Sequence, residues 1–503
     1  MNDKGNTIGK NYTYNLIYQI IIIAIPIILI PYLARTLTPV GVGEYSFGYS
    51  IVSIFSLFAL LGVHLYGTKE ISIVRDNEID KQKVFWEIFF LKALISIIVI
   101  VIFLISLIFL PDKKLLLIQG FLLLANLLDI SWFFTGIENF KTILIRNFSI
   151  RIVTTTLIFI FIKRPEDVYL YAFILGATEL GGHLLMWFDF KKYQMFKGFN
   201  DVKQTMNIFK HLKGMIILFL PTAIILLYTN LNSVMIGLLS NKTEVGFYDM
   251  AAKIVNMLLV IISSLGTVLL PRISHYFEKN MHEDIHYVLN RAVSVMSFLA
   301  YPIALGVIAL APLFIPWFLG ANYLPVISVI SVFSLKIILV IFSNVVGIQY
   351  MIPTNKYKSF IVSVSLGAIV NLILNIFFIP RYGALGAAIS MVIAEFIVTV
   401  SQILMVRKHV HFMPAILTTY RSLISALIMG LSVYLSLTYF KDTLYEFVNN
   451  WIHREVISVA ILIIAYALFG ILIYFLVNLI LKNKDQKFII NKALEIVFRK
   501  RQH

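Results

Sequence analysis

The pentapeptide His282-Glu283-Asp284-Ile285-His286 has the spacing of a zinc-peptidase helix, with two histidines at i and i+4 able to share a metal and a glutamate between them as base. A catalytic zinc needs a third protein ligand, and none is evident near this match, which falls in a polar loop between two apolar runs. A solvated loop is the expected reading, and no metal is assigned. Ionisable side chains inside the apolar runs are more informative, because a charge in hydrocarbon is costly and normally faces a partner or a water-filled cavity. The cations in this class are Arg35, Arg151, Lys253 and Lys336; the anions are Asp129, Asp249, Glu179 and Glu395. Asn230, Asn232 and Asn256 add polar groups to the lining of such a cavity. Some of these have local explanations. Asp249 and Lys253 are spaced i and i+4 and can neutralise each other. Arg35 can snorkel to the outer interface, and Lys92 and Arg146 to the inner one. Glu179 has Gly176, Gly181 and Gly182 nearby and no Lys or Arg within four residues, which makes it, with Asp129 and Glu395, a candidate to titrate or bind a coupling cation. The open alternative for Glu179 is a hydrogen bond to a partner from a distant span. No phosphate-cradling Gly-rich loop or nucleophile elbow occurs, and the absence of cysteine removes disulfides and thiolate metal sites. No catalytic residue and no cofactor is assigned.

The elements that must position these residues are membrane helices. Hydrophobic residues make up 59% of the 503 positions, charged residues 14%, and the mean hydropathy is +0.88, far from the quarter-charged composition of soluble domains. Apolar runs at 14–34, 45–65, 88–110, 115–134, 147–162, 168–188, 215–238, 246–270, 292–314, 325–349, 360–379, 385–406, 423–440 and 456–481 predict about 14 transmembrane helices. The first two form a hairpin over 15–76, and Pro26 and Pro31 predict a bend in the first. That first run is long and lacks a small-residue cleavage site, so it is expected to stay as a span. Lys69, Arg75, Lys81, Lys83, Lys141, Arg146, Arg407 and Lys408 fall on one side with the basic tail, so both termini are expected in the cytoplasm. The net charge of +16 is thereby topological, and no nucleic-acid partner is expected.

Sliding the chain by about 203 positions brings Val42, Gly43 and Tyr45 onto Val245, Gly246 and Tyr248. This predicts an all-α polytopic protein of two pseudo-symmetric six-helix bundles, 1–190 and 214–406, with two further helices over 407–481. A connector at 191–213 and a basic tail at 482–503, with Ile490, Leu494 and Phe498 on one face, are predicted to be amphipathic and to lie on the anionic inner leaflet.

Three blocks carry a family resemblance. The first comprises Asn15, Leu16, Tyr18 and Gln19, then Pro31-Tyr32-Leu33-Ala34-Arg35 with Gly43 and Tyr45, then Leu65-Tyr66-Gly67-Thr68-Lys69-Glu70-Ile71 and Arg75-Asp76. The second runs from Asp129-Ile130-Ser131-Trp132-Phe133-Phe134-Thr135-Gly136-Ile137-Glu138-Asn139-Phe140-Lys141 to Arg146-Asn147, and the third is Ile379-Pro380-Arg381-Tyr382-Gly383-Ala384-Leu385-Gly386-Ala387-Ala388. They resemble the opening, the fourth-helix signature and the late hinge of Wzx-type polysaccharide repeat-unit flippases. These belong to the multidrug/oligosaccharidyl-lipid/polysaccharide exporter superfamily. The resemblance implies translocation of an undecaprenyl-pyrophosphate-linked oligosaccharide from the inner to the outer leaflet for capsule, exopolysaccharide or O-antigen-like polymer. Alternating access through a cation-lined central cavity would be the route. Membrane lipids would surround it, with a polysaccharide polymerase and glycosyltransferases as pathway partners. A multidrug exporter of the same superfamily shares the architecture, and a membrane polysaccharide polymerase is the enzyme alternative. The short outer loops leave little room for the latter's catalytic domain.

Overall fold

The computed structural model describes residues 2–193, 195, 205–267, 269–279, 281–410, 412–488 and 491, with most side chains from residue 25 onward. They form helices α1 (Asn2–Leu60), α2 (Val63–Val74), α3 (Glu78–Ser106), α4 (Lys113–Gln119), α5 (Phe121–Leu128), α6 (Ser131–Gly136), α7 (Phe140–Phe161) and α8 (Val168–Phe190). After the connector come α9 (Leu212–Leu239), α10 (Lys242–Thr267), α11 (Leu269–Glu278), α12 (His282–Phe318), α13 (Val326–Ser343), α14 (Tyr357–Val406), α15 (Phe412–Thr418), α16 (Tyr420–Ile452) and α17 (Glu455–Ile480). No strand occurs among the described residues.

Ten helices among the described residues are long and apolar enough to cross a membrane, or up to eleven if the bent pair within 208–239 is one span. That is close to the predicted fourteen, and helix breaks account for part of the gap. Ile25–Val74 and Tyr357–Val406 are each 50 residues, about 75 Å if straight, more than twice a ~30 Å hydrocarbon core. The first breaks at Thr38 (φ 61°, ψ 170°), where the following Pro39 disfavours the helical region for the residue before it. The second breaks at Gly383 (φ 55°, ψ −128°), a backbone conformation essentially confined to glycine, inside the block that resembles the family hinge. Pro26 and Pro31 both lie inside α1 with helical dihedrals, and among the described residues its backbone leaves the helical region at Thr38. The weak run at 147–162 is a full helix, α7. His282–His286 is the first turn of α12 rather than a loop. The His282 side chain lies outside the described residues, and no cluster of three potential metal ligands occurs among those described.

The chain divides into two compact units, Met1–Gly246 and Phe247–His503. In the first, α9 packs on α1, although sequence periodicity alone places it in the second bundle. The first and second family blocks meet here: Phe85, Trp86, Trp132, Phe133, Trp187 and Phe190 form an aromatic core that Ile71 and Tyr66 join. Lipid is as apolar as these rings, so their gain comes from packing, with edge-to-face pairs such as Phe85 and Phe133 (5.3 Å, 77°) worth about 0.5–1.5 kcal/mol each. The fully buried Glu87 of α3 accepts from the Asn207 amide (2.8 Å) and contacts Lys210 (2.7 Å) and His211 (3.0 Å), pinning the end of the connector. The amphipathic reading of 194 and 196–204 in the connector, and of Ile490, Leu494 and Phe498 in the tail, lies outside the described residues. So do the side chains of Asn15, Leu16, Tyr18 and Gln19.

A second contact in this unit is reciprocal. A Cβ on Gly43 would sit 1.6 Å from the Lys242 carbonyl oxygen, and one on Gly246 would sit 2.1 Å from that of Pro39. The 203-residue offset that pairs Gly43 with Gly246 also pairs Pro39 with Lys242, so equivalent positions of the repeat touch each other two-fold fashion.

In the second unit, α16 and α17 pack on α12 through Ala309, Leu313, Val433, Leu437, Leu462 and Tyr466. The span begun by α13 ends in a π-helical segment, Asn344–Met351.

Candidate functional site

The span made of α4, α5 and α6 is interrupted at Asp129 and Ile130, where the backbone leaves the helical region. Such a break frees carbonyl oxygens that lipid cannot satisfy. Neighbouring spans supply the donors: Trp187 Nε1 of α8 donates to the Leu128 carbonyl (2.8 Å), and Lys92 Nζ of α3 donates to that of Asp129. The Asp129 side chain turns back to accept from the Ser131 amide (2.8 Å). Its carboxylate is also 2.9 Å from His64 Nε2 and 3.1 Å from His183 Nδ1. His183 Nε2 is 2.9 Å from Arg146 Nη2, which also donates to Glu179 (2.8 Å).

The result is a row of polar groups, His64, Asp129, His183, Arg146 and Glu179, drawn from α2, the α5–α6 break, α7 and α8. Its ends are open, with His64 and Glu179 side chains 50% and 42% exposed, whereas Asp129 is 3% exposed. Proton positions follow from donor capacity. A guanidinium has no acceptor, so in the contact with Arg146 it is His183 Nε2 that accepts. His64 is not so constrained: Nε2 faces the carboxylate, and Nδ1, 3.5 Å from Ser131 Oγ, faces a hydroxyl that can donate or accept.

The structure thus joins two of the predicted carboxylates, Asp129 and Glu179, through residues of other spans. Glu179 is not without a basic partner: Arg146, read from sequence as a snorkelling cation, is its ion pair. Lys336 and Glu395, both buried, stand 4.0 Å apart in the second unit, and Lys253 is paired with Asp249 at 2.7 Å as the i,i+4 spacing allows. Arg35, Arg151 and Asn256 are exposed; Asn232 is buried and donates to the Tyr228 carbonyl, and Asn230 donates to that of Leu226. His64 and His183 were missed by a search restricted to Lys, Arg, Asp and Glu, although a histidine inside an apolar run is itself a signal.

The second unit also holds a half-open cavity of about 600 Å³ between α10, α12, α13, α16 and α17, within the 300–1,000 Å³ of ligand pockets. Its wall is apolar, with Leu258, Phe298, Ile303, Gly306 and Met429 among its residues. The two tyrosines in it hide their hydroxyls: Tyr474 donates to the Phe298 carbonyl (2.7 Å) and Tyr466 to that of Ser436 (3.3 Å), leaving carbon faces toward the space.

Comparison with known families matches residues 8–277, more than half of the chain, to the family described as "Polysaccharide biosynthesis protein". The chain belongs to this family, as a Wzx-type polysaccharide flippase. Residues 144–452 of the flippase also match the family described as "Lipid II flippase MurJ". It is 25% identical over 417 residues to the Escherichia coli (strain K12) protein named "Putative O-antigen transporter", covering 81% of the flippase and 99% of that protein. Among solved structures, a lipid II flippase MurJ in an inward closed conformation is similar over 93% of the flippase and 98% of that chain, with a TM-score of 0.65 at 20% identity. An inward-facing multidrug resistance transporter of the MATE family is similar over 76% and 97%, with a TM-score of 0.52 at 14% identity. At these identities the two structures speak for the fold. The flippase is a multi-pass membrane transporter and not an enzyme.

Proposed function

We propose that the flippase moves an undecaprenyl-pyrophosphate-linked oligosaccharide from the inner to the outer leaflet of the bacterial cytoplasmic membrane, for capsule, exopolysaccharide or O-antigen-like polymer. The observation that carries this reading is the apolar cavity of about 600 Å³ in a protein whose family handles polysaccharide. A prenyl chain needs an apolar berth while its polar headgroup crosses, and a cavity whose tyrosine hydroxyls are already satisfied by backbone offers one. A Cβ on Gly306 meets only Met429 Cε at 3.8 Å, so this position opens onto free space. Gly306→Phe is expected to cut flipping of a lipid-linked sugar in proteoliposomes at least tenfold, with little change in thermal stability. Wild-type rates in that variant would remove the cavity from the transport path.

In this reading Arg35, Arg151, Lys253 and Lys336 receive the pyrophosphate and Asn230, Asn232 and Asn256 the sugars, in an alternating-access cycle coupled through Asp129, Glu179 and Glu395. Phosphate is bound well by Arg forks and by Lys as a point charge. Lys253→Arg should then retain more transport than Lys253→Gln at equal expression. Equal rates would reduce Lys253 to the neutralising partner of Asp249. A polymerase and glycosyltransferases would consume and supply the substrate. A multidrug exporter would share the fold and would not discriminate lipid-linked sugars from amphiphilic drugs in the same proteoliposomes.

Both termini are placed in the cytoplasm by the Lys and Arg distribution. The chain lacks cysteine, so single cysteines report cleanly. An impermeant thiol reagent added to whole cells should label Lys113→Cys and leave Gln486→Cys untouched; the opposite pattern would invert the topology.

A further inference from the structure

A separate pocket of about 410 Å³ lies in the second unit, walled by Phe277, Ile285 and His286 from α11 and α12, by Tyr350, Thr354 and Lys356 before α14, and by His409 and Val410 after it. Its titratable lining is cationic or neutral, with no carboxylate among the described residues. Glu283 and Asp284 lie on the same first turn of α12 as His286 and do not line the pocket. Lys356 is also the N-cap of α14, with no side-chain cap, so the positive end of a long helix adds to the field there. Lys356 and Lys408 both bear on His409 and, with burial, push its proton affinity down; burial does the same to Lys356. Like charges brought together in a concavity without a counter-charge repel one another, and a bound anion relieves that repulsion.

We propose that this pocket is a binding site for a phosphoryl anion, held by Lys356 with His286 and His409 and by the amide end of α14. Helix N-termini and Lys side chains are standard phosphate ligands, and protonated imidazoles add charge-assisted donors. Membrane topology alone does not account for the arrangement. The positive-inside signal is carried by Lys and Arg anywhere in short loops, whereas here two histidines and a lysine from three separate segments converge on one concavity. The loops that form it fall on the side that the Lys and Arg distribution assigns to the cytoplasm, where free phosphates, diphosphate-bearing lipids and anionic headgroups all occur. The site does not depend on the transport reading, because it requires no translocation.

The test uses the full-length protein in phosphatidylcholine nanodiscs and radiolabelled inorganic diphosphate in equilibrium dialysis at mildly acidic pH. Saturable binding of one diphosphate per chain is expected. Lys356→Gln should weaken it about tenfold or more and His409→Gln several-fold, while Lys441→Gln, exposed on α16, should leave it unchanged. Matching unfolding temperatures would show that the variants are folded. Repeating the titration in nanodiscs containing phosphatidylglycerol separates the sources. Displacement of diphosphate assigns the site to a lipid headgroup, and undiminished binding assigns it to a soluble or substrate-borne phosphate. Non-saturable binding by the wild type, or equal affinity in wild type, Lys356→Gln and His409→Gln, would overturn the proposal.

Discussion

Asp129→Ala is expected to lower the unfolding temperature of the flippase and reduce transport by well over tenfold. The carboxylate is almost fully buried, accepts from the Ser131 amide and stands beside His64 and His183, with Lys92 held on its own carbonyl. Removing one member of a buried charge network costs about 3–5 kcal/mol, because the fully buried Lys92 would be left without the carboxylate's counter-charge. Asp129→Asn keeps the shape and loses the charge, so it should fold better than the alanine variant and still transport poorly. Thermal unfolding in detergent together with flipping in proteoliposomes separates the two effects. An alanine variant with wild-type behaviour in both would make the buried row an ornament of packing. Glu179→Gln tests the exposed end of the row. It retains a hydrogen bond to Arg146 but removes the charge, and it should lose the part of transport driven by a pH gradient while keeping gradient-independent exchange. Unchanged gradient-driven transport would exclude Glu179 from coupling.

Gly43→Ala and Gly246→Ala are each expected to destabilise the protein by about 3 kcal/mol or more and to abolish transport. A single methyl group would stand 1.6 Å from the Lys242 carbonyl oxygen in the first case and 2.1 Å from that of Pro39 in the second. Neither obstacle is the movable end of a side chain; both are backbone. The chain around Pro39–Gly43 and around 242–246 must separate to accommodate either one. Because the contact is reciprocal, the double variant should cost less than the sum of the two, since the first separation makes room for the second. Unfolding temperatures of the two single variants and the double measure this directly. Wild-type stability in either single variant would contradict the close approach.

The all-helical class and the spanning length of the apolar runs were legible without coordinates, because hydrocarbon thickness sets a helix length that composition alone can satisfy, while the count of about fourteen is only approached by the ten or eleven spans among the described residues. So were the break at Gly383, where a glycine follows Pro380 and Tyr382 in an otherwise helical run, and the pairing of Asp249 with Lys253, since four residues is one helical turn. The family itself was legible in three short blocks. The partner of Glu179 was not, because Arg146 lies 33 residues earlier and reaches it only once α7 packs on α8. Nor was the row around Asp129. Each of His64, Lys92 and His183 is on a different span, and nothing in the spacing of one span states which face of another it will meet. The break in the first long helix was not legible either: three prolines lie in it, and their spacing does not say that the backbone leaves the helix at Thr38, before Pro39, and stays helical at Pro26 and Pro31. By itself the sequence determined what each segment is, since helix length, hydropathy and i,i+4 pairing are properties of a few consecutive residues. Only the tertiary structure decided which buried charges share a site, because a charge that must be satisfied inside a membrane takes its partner from whichever helix packs beside it.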